Sequence, residues 1–242
     1  FDAGYPVTNS PFARQTHCRA EAPSRFTATP GSNSIVKAVE FWDKKAESYA
    51  KSPVGDEATY NEKLETTRHY FTEDSRVFEF GCGTGTTALH HAPFVKKIVA
   101  TDISSKMIEI ARGKAEAAGI SNVEFQCATL EDFEAEVGAF DVVMAHNILH
   151  LLEDTEQAIK QSYRLLKPGG VFVTSTVCLG DGFSHWRVLL FVGRLFRQVP
   201  YVNVLKREEL ERQLRDAGFE PELEWRRAKQ AAFIILRKPT AG

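Results

Sequence analysis

The sequence has few of the features that mark metal, redox, nucleic-acid or membrane proteins. Its 242 residues include only four cysteines, Cys18, Cys82, Cys127 and Cys178. No two are close enough for a CxxC pair. Their irregular spacing leaves reduced, mostly buried thiols in a cytoplasmic protein as the expectation. The seven histidines include no HExxH or comparable spacing, so no metal is expected. Thirty Lys and Arg nearly balance 32 Asp and Glu, giving a net charge of -2 and a pI of about 6.4. These totals hold no basic footprint for nucleic acid, and a small-molecule partner fits better. No apolar run approaches the ~20 residues of a membrane-spanning helix. No internal repeat is visible.

What remains is an ordinary globular composition, 43% hydrophobic and 26% charged. The length suits one large domain with a substantial core, or at most two small ones. The first 34 residues differ from the rest, being rich in Ser, Thr, Ala and Pro. They carry Arg14, Arg19 and Arg25 against Asp2 and Glu21. Residues 1–34 are expected to be disordered, with organelle targeting as the alternative. Residues 35–242 are then the folded domain.

From Ile35 the pattern is helical, with Val39, Trp42, Ala46 and Tyr49 on one face. A second amphipathic stretch, ATYNEKLETTRHYF, follows Pro53. Strands and helices then alternate. Strands are expected over Arg76–Phe80, Lys97–Thr101, Val123–Cys127, Phe140–Ala145 and Val171–Val177. Helices are expected over Thr86–Ala92, Ser104–Ala118 and Thr155–Leu166, the last closed by Lys167-Pro168-Gly169-Gly170. The strands are nearly continuous apolar runs, as in a parallel sheet covered on both faces. Residues 178–204 form a long insertion. A charged helix over Lys206–Ala217, stopped by Gly218, follows it. A closing antiparallel hairpin is read at Glu222–Arg227 and Ala231–Arg237.

The stretch VFEFGCGTG ends the first strand in three glycines spaced by two, Gly81, Gly83 and Gly85. In doubly wound sheets the first strand-to-helix turn is a usual ligand site, and glycines let a ligand approach the backbone. A dinucleotide fingerprint would place Gly where Thr86 stands, and a P-loop would need a Lys that is missing. Asp102, at the end of the second strand, can accept hydrogen bonds from both hydroxyls of a ribose. Glu79, two residues before Gly81, suits the positive end of a ligand, such as an amino acid joined to a sulfonium.

VFEFGCGTG, then TDIS, then LLKPGGVF resemble the class I S-adenosylmethionine-dependent methyltransferases over roughly Phe41 to Lys238. FWDKKAESYA and LKREELERQLRDAGFE resemble the small-molecule branch that includes the ubiquinone/menaquinone and trans-aconitate methyltransferases. The resemblance implies a Rossmann-like α/β fold. Its doubly wound, mostly parallel seven-stranded sheet has an antiparallel last strand, N-terminal helices and a helical lid insertion. It implies S-adenosyl-L-methionine as cofactor and methyl transfer as activity.

Residue by residue, the resemblance lays Glu79, Gly81, Cys82, Gly83 and Gly85 against the methionine part of the cofactor, with Cys82 serving backbone geometry. It gives Asp102 the ribose, and sets Ile103 and Met107 against the adenine. The family's usual acid after the third strand is missing, which leaves Thr129, Leu130 and Glu131 as the adenine contacts. His146, after the fourth strand, lines the methyl-transfer cavity. It either contacts the cofactor through its backbone or serves as a base on the substrate. His150, one helical turn on if that segment is helical, is expected to contact the substrate. Tyr49 closes over cofactor or substrate, while Trp42 is read as packing and His90 and His91 as solvated helix-end residues.

The insertion carries Phe183, Trp186, Phe191 and Tyr201, with Arg187, Arg194 and Arg197 between. Three readings stand open: a lid packed on the sheet edge, a lid using Trp186 to line an apolar or aromatic acceptor site, and a weak membrane contact. The expected function is in-line methyl transfer to a small acceptor, which needs alignment more than a base. A non-catalytic cofactor-binding sensor or scaffold, and an NAD-dependent oxidoreductase, are the rivals.

Overall fold

The computed structural model describes residues 32–181, 201–225 and 231–240. Within these, seven strands form one sheet: β1 (Arg76–Phe80), β2 (Lys97–Asp102), β3 (Val123–Cys127), β4 (Phe140–His146), β5 (Leu166–Val177), β6 (Glu220–Trp225) and β7 (Ala231–Arg237). Their order is β3-β2-β1-β4-β5-β7-β6. β1 to β5 pair in parallel, and β7 runs antiparallel to both β5 and β6. This is the expected mostly parallel, Rossmann-like sheet with an antiparallel last strand. The order in which strands are added reverses between β1 and β4, and that crevice is where an open α/β sheet receives ligands.

The described helices are α1 (Ser32–Lys51), α2 (Glu57–Arg68), α3 (Thr86–His91), α4 (Ser105–Ala117), α5 (Thr155–Leu165) and α6 (Arg207–Asp216). Each start has a local cause where a side chain can cap it. Ser104 Oγ accepts from Met107 N–H at 3.1 Å, and Asp154 Oδ1 accepts from Gln157 N–H at 2.8 Å. Gly218, at φ 95°, stops α6 as expected. The central strands are buried on both faces. One face packs Phe78, Phe133 and Phe140, with the first two rings stacked 4.2 Å apart. The other packs Ile98, Ile108, Phe125 and Met144.

Several boundaries differ from the sequence reading. α1 begins at Ser32, not Ile35. The Lys167-Pro168-Gly169-Gly170 run does not separate helix from strand, because β5 already starts at Leu166. Leu166 pairs with Phe140, and the register then shifts before Val142 pairs with Val171. The bend is tied from both sides. Lys167 Nζ reaches Asp141 Oδ1 at 2.6 Å, and Gly169 N–H donates to Lys238 O at 2.8 Å. β6 begins at Glu220 instead of Glu222, and Arg226 and Arg227 lie outside the described residues. So do residues 1–31 and, within the insertion, residues 182–200.

α1 is moored to α4 by one carboxylate. Asp43 Oδ1 accepts from Ser104 Oγ at 2.6 Å and from Lys106 N–H at 3.2 Å. Ala46 is fully buried there, whereas Tyr49, 53% exposed, reaches past the helix packing toward the glycine bend.

Candidate functional site

The carboxyl ends of four strands form a row. Thr101 pairs with Phe80, Glu79 with Met144, and His146 with Ser175. Carried on along the strands, these registers set Asp102, Gly81, His146 and Ser175 side by side on β2, β1, β4 and β5. Neighbouring strands are ~4.8 Å apart, so the row spans roughly 14 Å. Two cavities open along it. The smaller, about 360 Å³, covers the Asp102 end, and the larger, about 620 Å³, covers the Ser175 end. They meet at Tyr49, Gly81, Gly83, His146 and Asn147.

The glycines of the bend have different physical duties. All three have positive φ: 65° at Gly81, 54° at Gly83 and 74° at Gly85. A Cβ at Gly85 would lie 2.7 Å from the Phe125 ring and 2.8 Å from Ala111 Cβ, so this glycine lets α3 and α4 pack on the sheet. At Gly83 a Cβ would meet only Tyr49 Cε1, at 3.7 Å, so its backbone faces open space. Cys82 between them is buried, its N–H bonded to Thr101 O at 2.9 Å. Burial, then the Asp102 and Glu79 charges, push its thiol well up, which keeps it protonated.

Asp102 Oδ2 accepts from Gly83 N–H and Oδ1 from Ser104 N–H, both at 2.9 Å. A carboxylate oxygen can accept more than one hydrogen bond, and Asp102 lines the smaller cavity. Burial raises its pKa while these backbone donors lower it. Ile103, Met107, Thr129, Leu130 and Glu131 line the same cavity. Thr129 Oγ1 also accepts from Asp132 N–H at 3.0 Å, which fixes the turn after β3. Trp42, read from sequence as packing, lines this cavity as well, edge-on to Tyr49 at 6.3 Å.

Glu79 is 2% exposed, and among the described residues its Oε2 has no hydrogen-bond partner. Burial, with the Asp102 charge adding, pushes its carboxyl up to about 8. It faces the larger cavity. Tyr49, at the junction, has its phenol raised by loss of water and then by the Asp102 and Glu79 charges. His146 also stands at the junction, its Nε2 without a hydrogen-bond partner among the described residues and its pKa held down to about 4 by burial and then by the Lys63 charge. His150 lines neither cavity. Its Nδ1 sits 3.1 Å from Thr176 Oγ1, and its carbonyl accepts from Asn203 N–H at 2.7 Å. Trp186 lies outside the described residues.

His91 corrects the sequence reading. It is 0% exposed rather than solvated, and it lines the larger cavity. His90 beside it is exposed. The reading by motif also passed over Lys63, Tyr60, Asn147 and Ser175, which line that cavity. Lys63 and Tyr60 look like ordinary surface positions of a short helix. Asn147 carries one local sign, a positive φ of 55° directly after a strand. Among the described residues no cluster of His, Cys, Asp or Glu is arranged to hold a metal, and no helix is long and apolar enough to cross a membrane.

Comparison with known proteins agrees with this geometry. Residues 77–170 match the family described as methyltransferase domain. The uncharacterized methyltransferase YcgJ of Bacillus subtilis (strain 168) is 32% identical over 100 residues, 41% of this chain and 40% of that protein. A ubiquinone biosynthesis O-methyltransferase of Chromobacterium violaceum is 29% identical over 159 residues, 62% of this chain and 67% of that protein. The chain thus spans well under two thirds of the YcgJ relative and about two thirds of the other. The fold is that of geranyl diphosphate C-methyltransferase from Streptomyces coelicolor A3(2), solved with Mg2+, geranyl diphosphate and S-adenosyl-L-homocysteine. The TM-score is 0.69 at 15% identity, covering 87% of this chain and all of that one. Residues 77–170, the stretch that matches the methyltransferase domain family, hold both the glycine bend after β1 and Asp102 at the end of β2, and there the chain is similar to S-adenosylmethionine-dependent methyltransferases.

Proposed function

We propose that this protein transfers a methyl group from S-adenosylmethionine to a small-molecule acceptor seated in the larger cavity. The observation that carries the reading is the row Asp102–Gly81–His146–Ser175, with two cavities that join at its middle. The residues present fit the cofactor. Asp102 can accept further hydrogen bonds from a ribose. Gly83 offers bare backbone, and Glu79 Oε2 is a buried acceptor lacking a donor among the described residues. When bound, S-adenosylmethionine supplies an electrophilic methyl carbon on a sulfonium that is its own leaving group.

The chain's residues bind, orient and exclude water. Asp102 holds the ribose, and Ile103, Met107 and Leu130 take the adenine in the more apolar, smaller cavity. Glu79 accepts from the amino-acid ammonium, which draws the carboxyl toward its ionised form. Tyr49 covers the junction and keeps water from the reacting centre. His146 lies where the two cavities meet and presents a neutral ring toward an acceptor hydroxyl. Its low basicity suits orientation, or uptake of a proton as the new bond forms, better than early deprotonation. Alignment then carries most of the rate. The apolar acceptor expected from the insertion rested on Phe183, Trp186, Phe191 and Tyr201; the first three lie outside the described residues, and Tyr201 lines the smaller cavity.

Titration calorimetry with S-adenosylmethionine and with NAD tests binding. Transfer of tritium from the labelled methyl group into a cell extract tests turnover. Binding of NAD without S-adenosylmethionine would sink the reading. Binding of S-adenosylmethionine with no label transferred to any acceptor would leave a sensor or scaffold in its place.

A further inference from the structure

The larger cavity has a cationic wall that methyl-donor binding leaves unused. Lys63 reaches from α2 across to the end of β5, where Nζ donates to Ser175 Oγ at 3.0 Å. Among the described residues it forms no ion pair, and the Asp56 carboxylate acts on it only as a more distant charge. Loss of water lowers its pKa, so an ammonium here is held at a cost that an anion would relieve. On the same cavity, His91 is fully buried and, among the described residues, neither of its ring nitrogens has a hydrogen-bond partner. Buried polar groups are rarely left unpaired in a protein.

Position separates this wall from the methyl donor. Ser175 lies on β5, two strands beyond β1, so it stands roughly 10 Å from the glycine bend. It is on the far side of His146 from Asp102. Lys114 brings a second ammonium to the same cavity, but on the glycine-bend side, braced by Thr84 and Thr86 hydroxyls at 2.9 and 3.1 Å. Glu79 is the one carboxyl on the described lining.

Resting on the methyl-donor reading above, we propose that the acceptor carries a carboxylate, which docks on Lys63 Nζ and Ser175 Oγ. Charge-assisted bonds from an ammonium and a hydroxyl give such a group both affinity and direction. The acceptor atom is thereby held toward His146. The cofactor has a carboxylate of its own, and the test must tell the two apart.

The experiment is calorimetry on the full chain saturated with S-adenosylhomocysteine. The probes are benzoate, hydroxybenzoates and C4 to C8 aliphatic acids, each paired with its methyl ester. At least one acid should bind about tenfold or more tightly than its ester. Lys63→Met should abolish that advantage and leave S-adenosylhomocysteine binding within about twofold, whereas Lys63→Arg should keep part of it. Ser175→Ala, which keeps the ladder, should weaken the acid in the same direction if Lys63→Met fails to fold. No acid binding better than its ester would overturn the proposal. So would a tenfold loss of S-adenosylhomocysteine affinity in Lys63→Met with the acid preference intact, because the carboxylate would then be the cofactor's. Failure of the wild type to bind S-adenosylhomocysteine would instead sink the methyl-donor reading. The acid and ester comparison without it would still report on Lys63.

Discussion

Asp102 Oδ2 accepts the Gly83 N–H at 2.9 Å. The acid after β2 and the glycine bend after β1 are therefore one piece of structure, and the acid sets the bend's shape as well as facing the smaller cavity. Ser104 N–H ties the other oxygen, which connects the acid to the start of α4.

Asp102→Ala should consequently cost both affinity and stability. Hydrogen bonds to charged groups contribute about 1.5–3 kcal/mol each, so S-adenosylmethionine should bind at least ~10-fold more weakly. Urea unfolding should show a loss of about 1–3 kcal/mol from the two stranded backbone donors. An unchanged dissociation constant would remove Asp102 from the cofactor site.

Gly85→Ala and Gly83→Ala should separate folding from binding. A non-glycine residue at positive φ costs roughly 1–2 kcal/mol. At Gly85 the contacts at 2.7 and 2.8 Å add overpacking of about 1–3 kcal/mol. Denaturant melts should rank Gly85→Ala as the less stable, while cofactor titration should show Gly83→Ala keeping its fold and losing affinity. The reverse order would mean that the bend is purely structural.

The ligand-free protein should be most stable near pH 6.5. His146 and His91 are held down to about 4 and about 3 from an ordinary 6.5. Below 6.5 the unfolded chain takes up protons that these two rings refuse, so stability rises with pH up to that point. Glu79 has the opposite sign. Its carboxyl is raised from 4.5 to about 8, so the folded state keeps a proton that the unfolded state has released, and stability falls as pH rises through that window. Below 6.5 the two histidines outweigh it, and above 6.5 it acts without them. Melting temperature measured from pH 4 to 9 should peak near 6.5, and Glu79→Gln should flatten the alkaline side.

Cofactor binding should release a proton from Glu79. At neutral pH a carboxyl pushed up to about 8 is mostly protonated, and an ammonium placed against it favours the ionised form. Titrations at pH 7 in buffers of different ionisation enthalpy should give a release approaching one proton, absent in Glu79→Gln. Equal heats in all buffers would mean that Glu79 does not meet the cofactor's charge.

His146→Ala should lower turnover by about 100-fold, at the low end for a positioned proton-transfer group. The wild-type rate should show no histidine limb between pH 5 and 8, since the ring stays neutral above about 4. A limb near 6.5 that vanishes in the variant would show that the ring is wetter than its burial implies.

The sequence by itself determined the sheet, the bend and the acid. Alternation of apolar runs with helices follows from local chemistry, and so do the glycines at 81, 83 and 85. Glu79 and Asp102 were legible because they stand at fixed distances from that bend. Tertiary structure decided what local pattern cannot carry. The Lys167–Gly170 run reads as a helix stop, yet it lies inside β5 because Phe140, Asp141 and Lys238 bind it from either side. His91 ends a short helix in sequence and is fully buried in space. Lys63 and Ser175 are 112 residues apart and meet at 3.0 Å. Such a meeting depends on strand order and helix placement, which are set by the packing of the whole sheet and leave no periodic mark on either residue's neighbours.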